Sequence, residues 1–213
     1  MTPIAHLWLY FLLVFGVILT PGMDMAYVLA SALIGGRKSG FAAIAGIVTA
    51  AALHMASAVL GISVLLRLYP PAFKMMLLAG AAYIAWIGLG IVRRASVLRI
   101  GTPGGAAARP PLTAYRQGML TNLLNPNAYL FTLAVIPYFL RPDYGLLWLQ
   151  GTALWGIGSL CEVGIYGAVT LLAAKLRARL ERDPTAGMRI ARAVGTMLML
   201  VAVFAAVSGW RNG

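Results

Sequence analysis

Six runs of this sequence stay apolar for about 20 residues, enough helix at 1.5 Å per residue to cross a hydrocarbon core of about 30 Å. They cover residues 4–33, 41–66, 72–92, 117–140, 145–174 and 193–210. Lipid offers no partner for a backbone N–H or C=O, so each run must satisfy its own hydrogen bonds, as a helix does. Composition points the same way. The chain is 61% hydrophobic and 10% charged, where a soluble domain carries about 25% charged residues. The fold class that follows is an all-α integral membrane protein with six transmembrane helices.

The net charge of +12 would ordinarily raise nucleic acid as a partner. Here the basic residues fall between the apolar runs, where membrane topology explains them and nucleic-acid binding is not needed. Arg37 and Lys38 lie in the first connection. Arg93, Arg94, Arg99, Arg109 and Arg116 lie in the third. Lys175, Arg177, Arg179, Arg182, Arg189 and Arg192 lie in the fifth. Only Arg67, Lys74, Arg141 and Arg211 fall on the other side. Positive charge marks the cytoplasmic side, so connections one, three and five are expected inside and both termini in the periplasm. The stretch Met1-Thr2-Pro3 has no basic region before the apolar run and reads as the start of a retained first helix.

The third connection, residues 95–112, is rich in glycine, alanine and proline and reads as a flexible linker. It divides the chain into a three-helix repeat over residues 1–94 and a second over 113–213. Three spans per half place the halves in the membrane in opposite orientations, the arrangement of an inverted repeat. The small-residue helices suit a homodimer and equally suit packing within one chain.

Two of the apolar runs are interrupted alike, the first by Thr20-Pro21-Gly22-Met23-Asp24 and the fourth by Asn122-Leu123-Leu124-Asn125-Pro126-Asn127. In each, a capping residue (Thr20, Asn125) precedes a proline, which costs nothing at the first helical position. Helices one and four are therefore expected to break at Pro21 and Pro126. Each break starts a half-helix whose free amides and positive dipole end suit a carboxylate. A simple proline kink would use the same residues. Two breaks at corresponding positions, flanked by Asp24, Asn122 and Asn127, favour a substrate site.

Of five acidic residues, only Asp24 and Glu162 fall inside runs. A charge at the bilayer centre costs about 2.5–3.5 kcal/mol, so such residues are functional candidates. Asp24 lies 13 residues before Arg37, Glu162 lies 13 before Lys175, and His54 lies 14 after Gly40. All three are thus expected at one depth, as a shared cavity would require. Trp155, Ser159, Glu162 and Tyr166 follow helical spacing, as do Asp24, Tyr27 and Ser31. Bland roles compete with these: a packed histidine, a glutamate bonded across a helix pair, an aspartate that caps its own helix. Trp8, Tyr10, Tyr69, Tyr144, Trp148 and Trp210, near run ends, read as interfacial anchors.

No Cys/His cluster has metal-ligand spacing, no phosphate-cradling loop appears, and the single Cys161 rules out an intrachain disulfide. No cofactor and no metal are expected. With no room for a nucleotide-binding domain, energy must come from an ion, a proton or the substrate gradient.

These motifs resemble those of the LysE/RhtB-type amino-acid exporters. The likeness rests on Leu19-Thr20-Pro21-Gly22-Met23-Asp24, Gly36-Arg37-Lys38-Ser39-Gly40 and Ala79-Gly80-Ala81-Ala82-Tyr83 with Gly88. It continues through Tyr115-Arg116-Gln117-Gly118 and the Asn122–Ala128 motif. The family's first motif usually reads Pro-Gly-Pro, and Met23 stands here for the second proline. The resemblance implies export of amino acids or their derivatives across a bacterial inner membrane by proton antiport. The expected substrate contacts are Thr20, Pro21, Gly22, Asp24, Tyr27, Asn122, Asn125, Pro126 and Asn127, with Asp24, Glu162 and His54 as candidates for the coupling proton. Two rivals remain: a membrane-embedded enzyme using Asp24, Glu162 and His54 as acid–base groups, and a channel or scramblase. Turnover without a gradient would mark the first, and unsaturable transport the second.

Overall fold

A computed structural model of the chain describes residues 3–61, 70–93, 95, 110–180 and 184–212. Among these, every regular element is helical. α1 is Pro3–Leu19, α2 Met23–Val59, α3 Pro70–Arg93, α4 Pro111–Leu123, α5 Pro126–Ala134 and α6 Ile136–Phe139. A short 3-10 turn, Pro142–Tyr144, leads to α7, Leu147–Leu180, and α8, Pro184–Asn212. Among the described residues, three helices are long and apolar enough to cross a membrane: Met23–Val59, Leu147–Ala178 and Thr185–Ser208. Shorter apolar helices cover Ile4–Leu19 and Leu77–Arg93.

Several boundaries differ from the sequence expectation. The first connection, expected between residues 33 and 41, is no loop: helix continues through it to Val59 except at Gly36. Gly36 has φ 75° and ψ −170°, a conformation that side-chain-bearing residues avoid. One residue therefore does the work of a connection. The Arg177 guanidinium donates to the carbonyl of Ile34 just before it. The fifth connection is also shorter than expected, because α7 runs on through Lys175 and Arg177, and Arg189 and Arg192 already belong to α8. Long, straight-chain basic residues are good helix formers and extend a helix past its apolar part. The linker lies almost wholly outside the described residues, as does the stretch 62–69.

Helix packing uses small residues to bring backbones together. An ideal Cβ on Gly118 of α4 would lie 2.4 Å from the carbonyl oxygen of Ala43 on α2. Gly88 of α3 and Gly195 of α8 face each other: a Cβ on either would lie within 2.7 Å of the other's carbonyl oxygen. Ile34, Ile47, Ile84, Leu154 and Leu198 are fully buried between these helices. The outward faces carry large exposed apolar residues, among them Leu160, Phe204 and Met75. An apolar surface of that extent is a liability in water and an asset in lipid.

Candidate substrate cavity

The two chain interruptions meet at one carboxylate. α1 stops at Leu19 and α2 begins at Met23; α4 stops at Leu123 and α5 begins at Pro126. Asp24, in the first turn of α2 and 7% exposed, accepts hydrogen bonds at Oδ2 from the side-chain amides of Asn122 (2.8 Å) and Asn125 (2.9 Å). Bonds from neutral donors to a carboxylate are charge-assisted and worth about 1.5–3 kcal/mol each. They tie residues about a hundred positions apart in sequence.

The two helix starts differ. At α5, Asn125 caps as expected: its Oδ1 accepts from the Asn127 amide at 3.0 Å. That uses one of the amides read as a carboxylate dock. At α2, Thr20 does not cap. Its hydroxyl instead donates back to the Gly16 carbonyl at 3.1 Å, finishing α1. Gly22 occupies the N-cap and has no side chain to offer, so the first amides of α2 receive no side-chain cap. The extended Pro21-Gly22 step moves the cap two residues past Thr20, beyond its reach.

A cavity of about 340 Å³ opens beside this junction, within the range of small-molecule sites. Thr20, Pro21, Gly22, Asp24, Asn122, Asn125 and Asn127 line it, and so do His54 and Glu162. Tyr27 and Pro126 do not. Tyr27 is fully buried, its hydroxyl placed between the Ala114 carbonyl (3.2 Å) and Gln117 Oε1 (3.1 Å) of α4. Pro126 is buried as the first residue of α5. The whole stripe Trp155, Ser159, Glu162 and Tyr166 of α7 lines the cavity too. His54 Nε2 lies 3.3 Å from the Asn122 carbonyl oxygen. A carbonyl only accepts, so that nitrogen carries the proton and the imidazole braces the same asparagine that holds Asp24.

Sequence reading misplaced Tyr10, taken as an interfacial anchor. It is 2% exposed and lines the cavity. Its signal was present: Tyr10, Val14 and Ile18 recur every four residues, and all three line the site from α1. Phe131 and Thr132 of α5 also contribute.

Four lining residues keep a buried oxygen without a partner among the described residues: Asp24 Oδ1, Asn122 Oδ1, Ser159 Oγ and Glu162 Oε2. Among the described residues, no lysine or arginine lines the cavity. Chemically, the site is rich in acceptors and poor in positive charge, so it calls for a ligand that brings N–H donors.

Comparison with known proteins agrees with this picture. The model of the LysE type translocators matches residues 15–209. An uncharacterised membrane protein of Pseudomonas aeruginosa is 32% identical over 66% of this chain and 67% of its own. A homoserine/homoserine lactone efflux protein of Salmonella typhimurium is 26% identical over 86% of this chain and 87% of its own. A threonine efflux protein of Escherichia coli is 26% identical over 74% and 75%. No solved structure matches. With its family model matched from the end of α1 to the end of α8, the chain belongs to the LysE type translocators.

Proposed function

We propose that this protein is a secondary active exporter of amino acids or amino-acid derivatives, coupled by proton antiport across the bacterial inner membrane. The observation that carries the reading is the Asp24 carboxylate held by Asn122 and Asn125 at the junction of two helix starts, inside a cavity of substrate size. The efflux proteins named above, similar along most of their length, support amino acids as the cargo class.

The substrate ammonium binds the open oxygen of Asp24 and the Asn122 side-chain oxygen. The uncapped amides at the start of α2, beside Thr20, Pro21 and Gly22, receive its carboxylate, aided by the helix dipole. Asn125, Pro126 and Asn127 build the second half of the junction, and Tyr27 fixes α2 against α4. Asp24 exchanges the ammonium for a proton. Glu162 carries a second exchangeable proton, and His54 holds Asn122 in place. Competition between proton and ammonium for one carboxylate is the coupling step that antiport requires.

The architecture under this reading is a six-span inverted repeat broken at Pro21 and Pro126, its outer faces in lipid. Two spacings support it. The prolines are 105 residues apart, and Gly88 and Gly195, which touch one another reciprocally, are 107 apart. A contact in which each partner meets the other's counterpart is what a two-fold axis produces.

The test is uptake of a radiolabelled amino-acid panel into inverted vesicles across an imposed pH gradient, with counterflow at uniform pH as the companion assay. Wild type should accumulate at least one member. Asp24→Asn should abolish both accumulation and counterflow, because it removes substrate contact and proton together. Glu162→Gln should weaken accumulation and leave counterflow the less affected. Accumulation at wild-type level by both variants would refute carboxylate coupling.

A further inference from the structure

The α7 lining of the cavity asks for a second positive charge. Glu162 is 9% exposed, yet its Oε2 has no partner among the described residues, and neither has the Oγ of Ser159 one turn earlier on α7. Both residues line the same cavity as Asp24. Asn122, 3% exposed, adds another buried acceptor without a partner at the Asp24 end. The lining also has an apolar part, with Val14, Ile18, Met55, Phe131 and Ile136. Beyond the uncapped amides of α2, positive groups for an anion are scarce: among the described residues no lysine or arginine lines the cavity, and the first free amide of α5 is spent on Asn125.

We propose that the cavity also carries aliphatic amines that lack a free carboxylate, and diamines above all, with one ammonium on Asp24 and Asn122 and the second on Glu162 and Ser159. The inference rests on the amine-binding role given to Asp24 above and extends it to a class that dispenses with the carboxylate. An ammonium has three N–H donors and no acceptor, matching the unpartnered oxygens at each end. The methylene chain between them gains from burial against the apolar lining. When a diamine binds, its second ammonium takes the place of the proton on Glu162, so no carboxylate is left buried and unpaired.

Ligand-induced thermal stabilisation of the purified full chain, in detergent, reads this directly. The probes are diaminopentane, leucinamide, leucine and N-acetylleucine, titrated separately. Diaminopentane and leucinamide should both stabilise the wild type, and N-acetylleucine, which keeps the carboxylate and masks the amine, should not. Glu162→Gln should lose at least about tenfold more affinity for diaminopentane than for leucinamide, a difference of about 1.4 kcal/mol. Ser159→Ala serves as a second variant and should show the same selectivity at about threefold. Stabilisation by leucine without diaminopentane or leucinamide would overturn the amine class and leave the amino-acid exporter standing. Stabilisation by N-acetylleucine alone would overturn both, since the amine would then play no part. Equal losses for the two amines in Glu162→Gln and Ser159→Ala would overturn the assignment of the second ammonium. Failure of all four probes to stabilise the wild type counts against both readings.

Discussion

Asp24 earns its position by what surrounds it. Buried as it is, its charge is costly, and two asparagine amides reduce that cost without neutralising it. Under the antiport proposed above, neutral donors leave the carboxylate free to trade a proton for an ammonium, which a lysine or arginine partner would prevent by holding the charge permanently. Asn125 does two jobs, capping α5 and donating to Asp24. Asn125→Ala should therefore cost more than an ordinary cap. Loss of the cap is worth about 1 kcal/mol, and loss of a donor to a buried carboxylate about 1.5–3 kcal/mol. Denaturation of the purified variant should show roughly 3 kcal/mol of destabilisation, and vesicle uptake should fall by at least tenfold at equal protein level. A cost under about 1 kcal/mol would mean that Asp24 draws nothing from this bond.

At the scale of the element, the telling feature is the one-residue break in α2. It separates the helical stretch bearing Asp24 and Tyr27 from the stretch bearing His54, so the two halves of one helix approach the cavity from different directions. Gly36 permits this by backbone conformation alone. A Cβ there would meet the Arg177 guanidinium no closer than 3.6 Å, an ordinary contact. Gly36→Ala therefore isolates the backbone term, about 1–3 kcal/mol for a side-chain-bearing residue in that region. The expected result is a lower melting temperature with uptake impaired more than expression. An unchanged melting temperature would show that α2 straightens there without penalty. The motif Gly36-Arg37-Lys38 was legible as the place where the chain turns. That the turn needs only Gly36 was not, because helix propensity on both sides favours continuing.

Across the whole molecule, the orientation reading rests on basic residues, thirteen of seventeen of which fall in alternate connections. Several of them are now placed in helix and not in loop, Arg37, Lys38, Lys175 and Arg177 among them. The proposed orientation keeps them on the same side, since long basic side chains at a helix end or break snorkel to the interface. A C-terminal phosphatase fusion, active only in the periplasm, should be active. Activity of a cytoplasm-only reporter at the same position would require an odd number of spans.

What the amino-acid order determined by itself is what depends on short-range rules. Apolar length dictated helices, proline after a capping residue marked where α5 begins, and the spacing of Trp155, Ser159, Glu162 and Tyr166 put them on one face. Lipid makes such rules stringent, because a backbone that cannot bond to water must bond to itself. Partnership was decided elsewhere. Nothing local says that Asn122 and Asn125 serve Asp24, that His54 braces Asn122, or that Arg177 serves Ile34. Nor does it say that Tyr10 faces a cavity and Tyr27 does not. Those depend on how closely backbones approach at Gly118 and at Gly88 with Gly195. Helix spacing of that kind is set by packing between distant segments, and only the tertiary structure contains it.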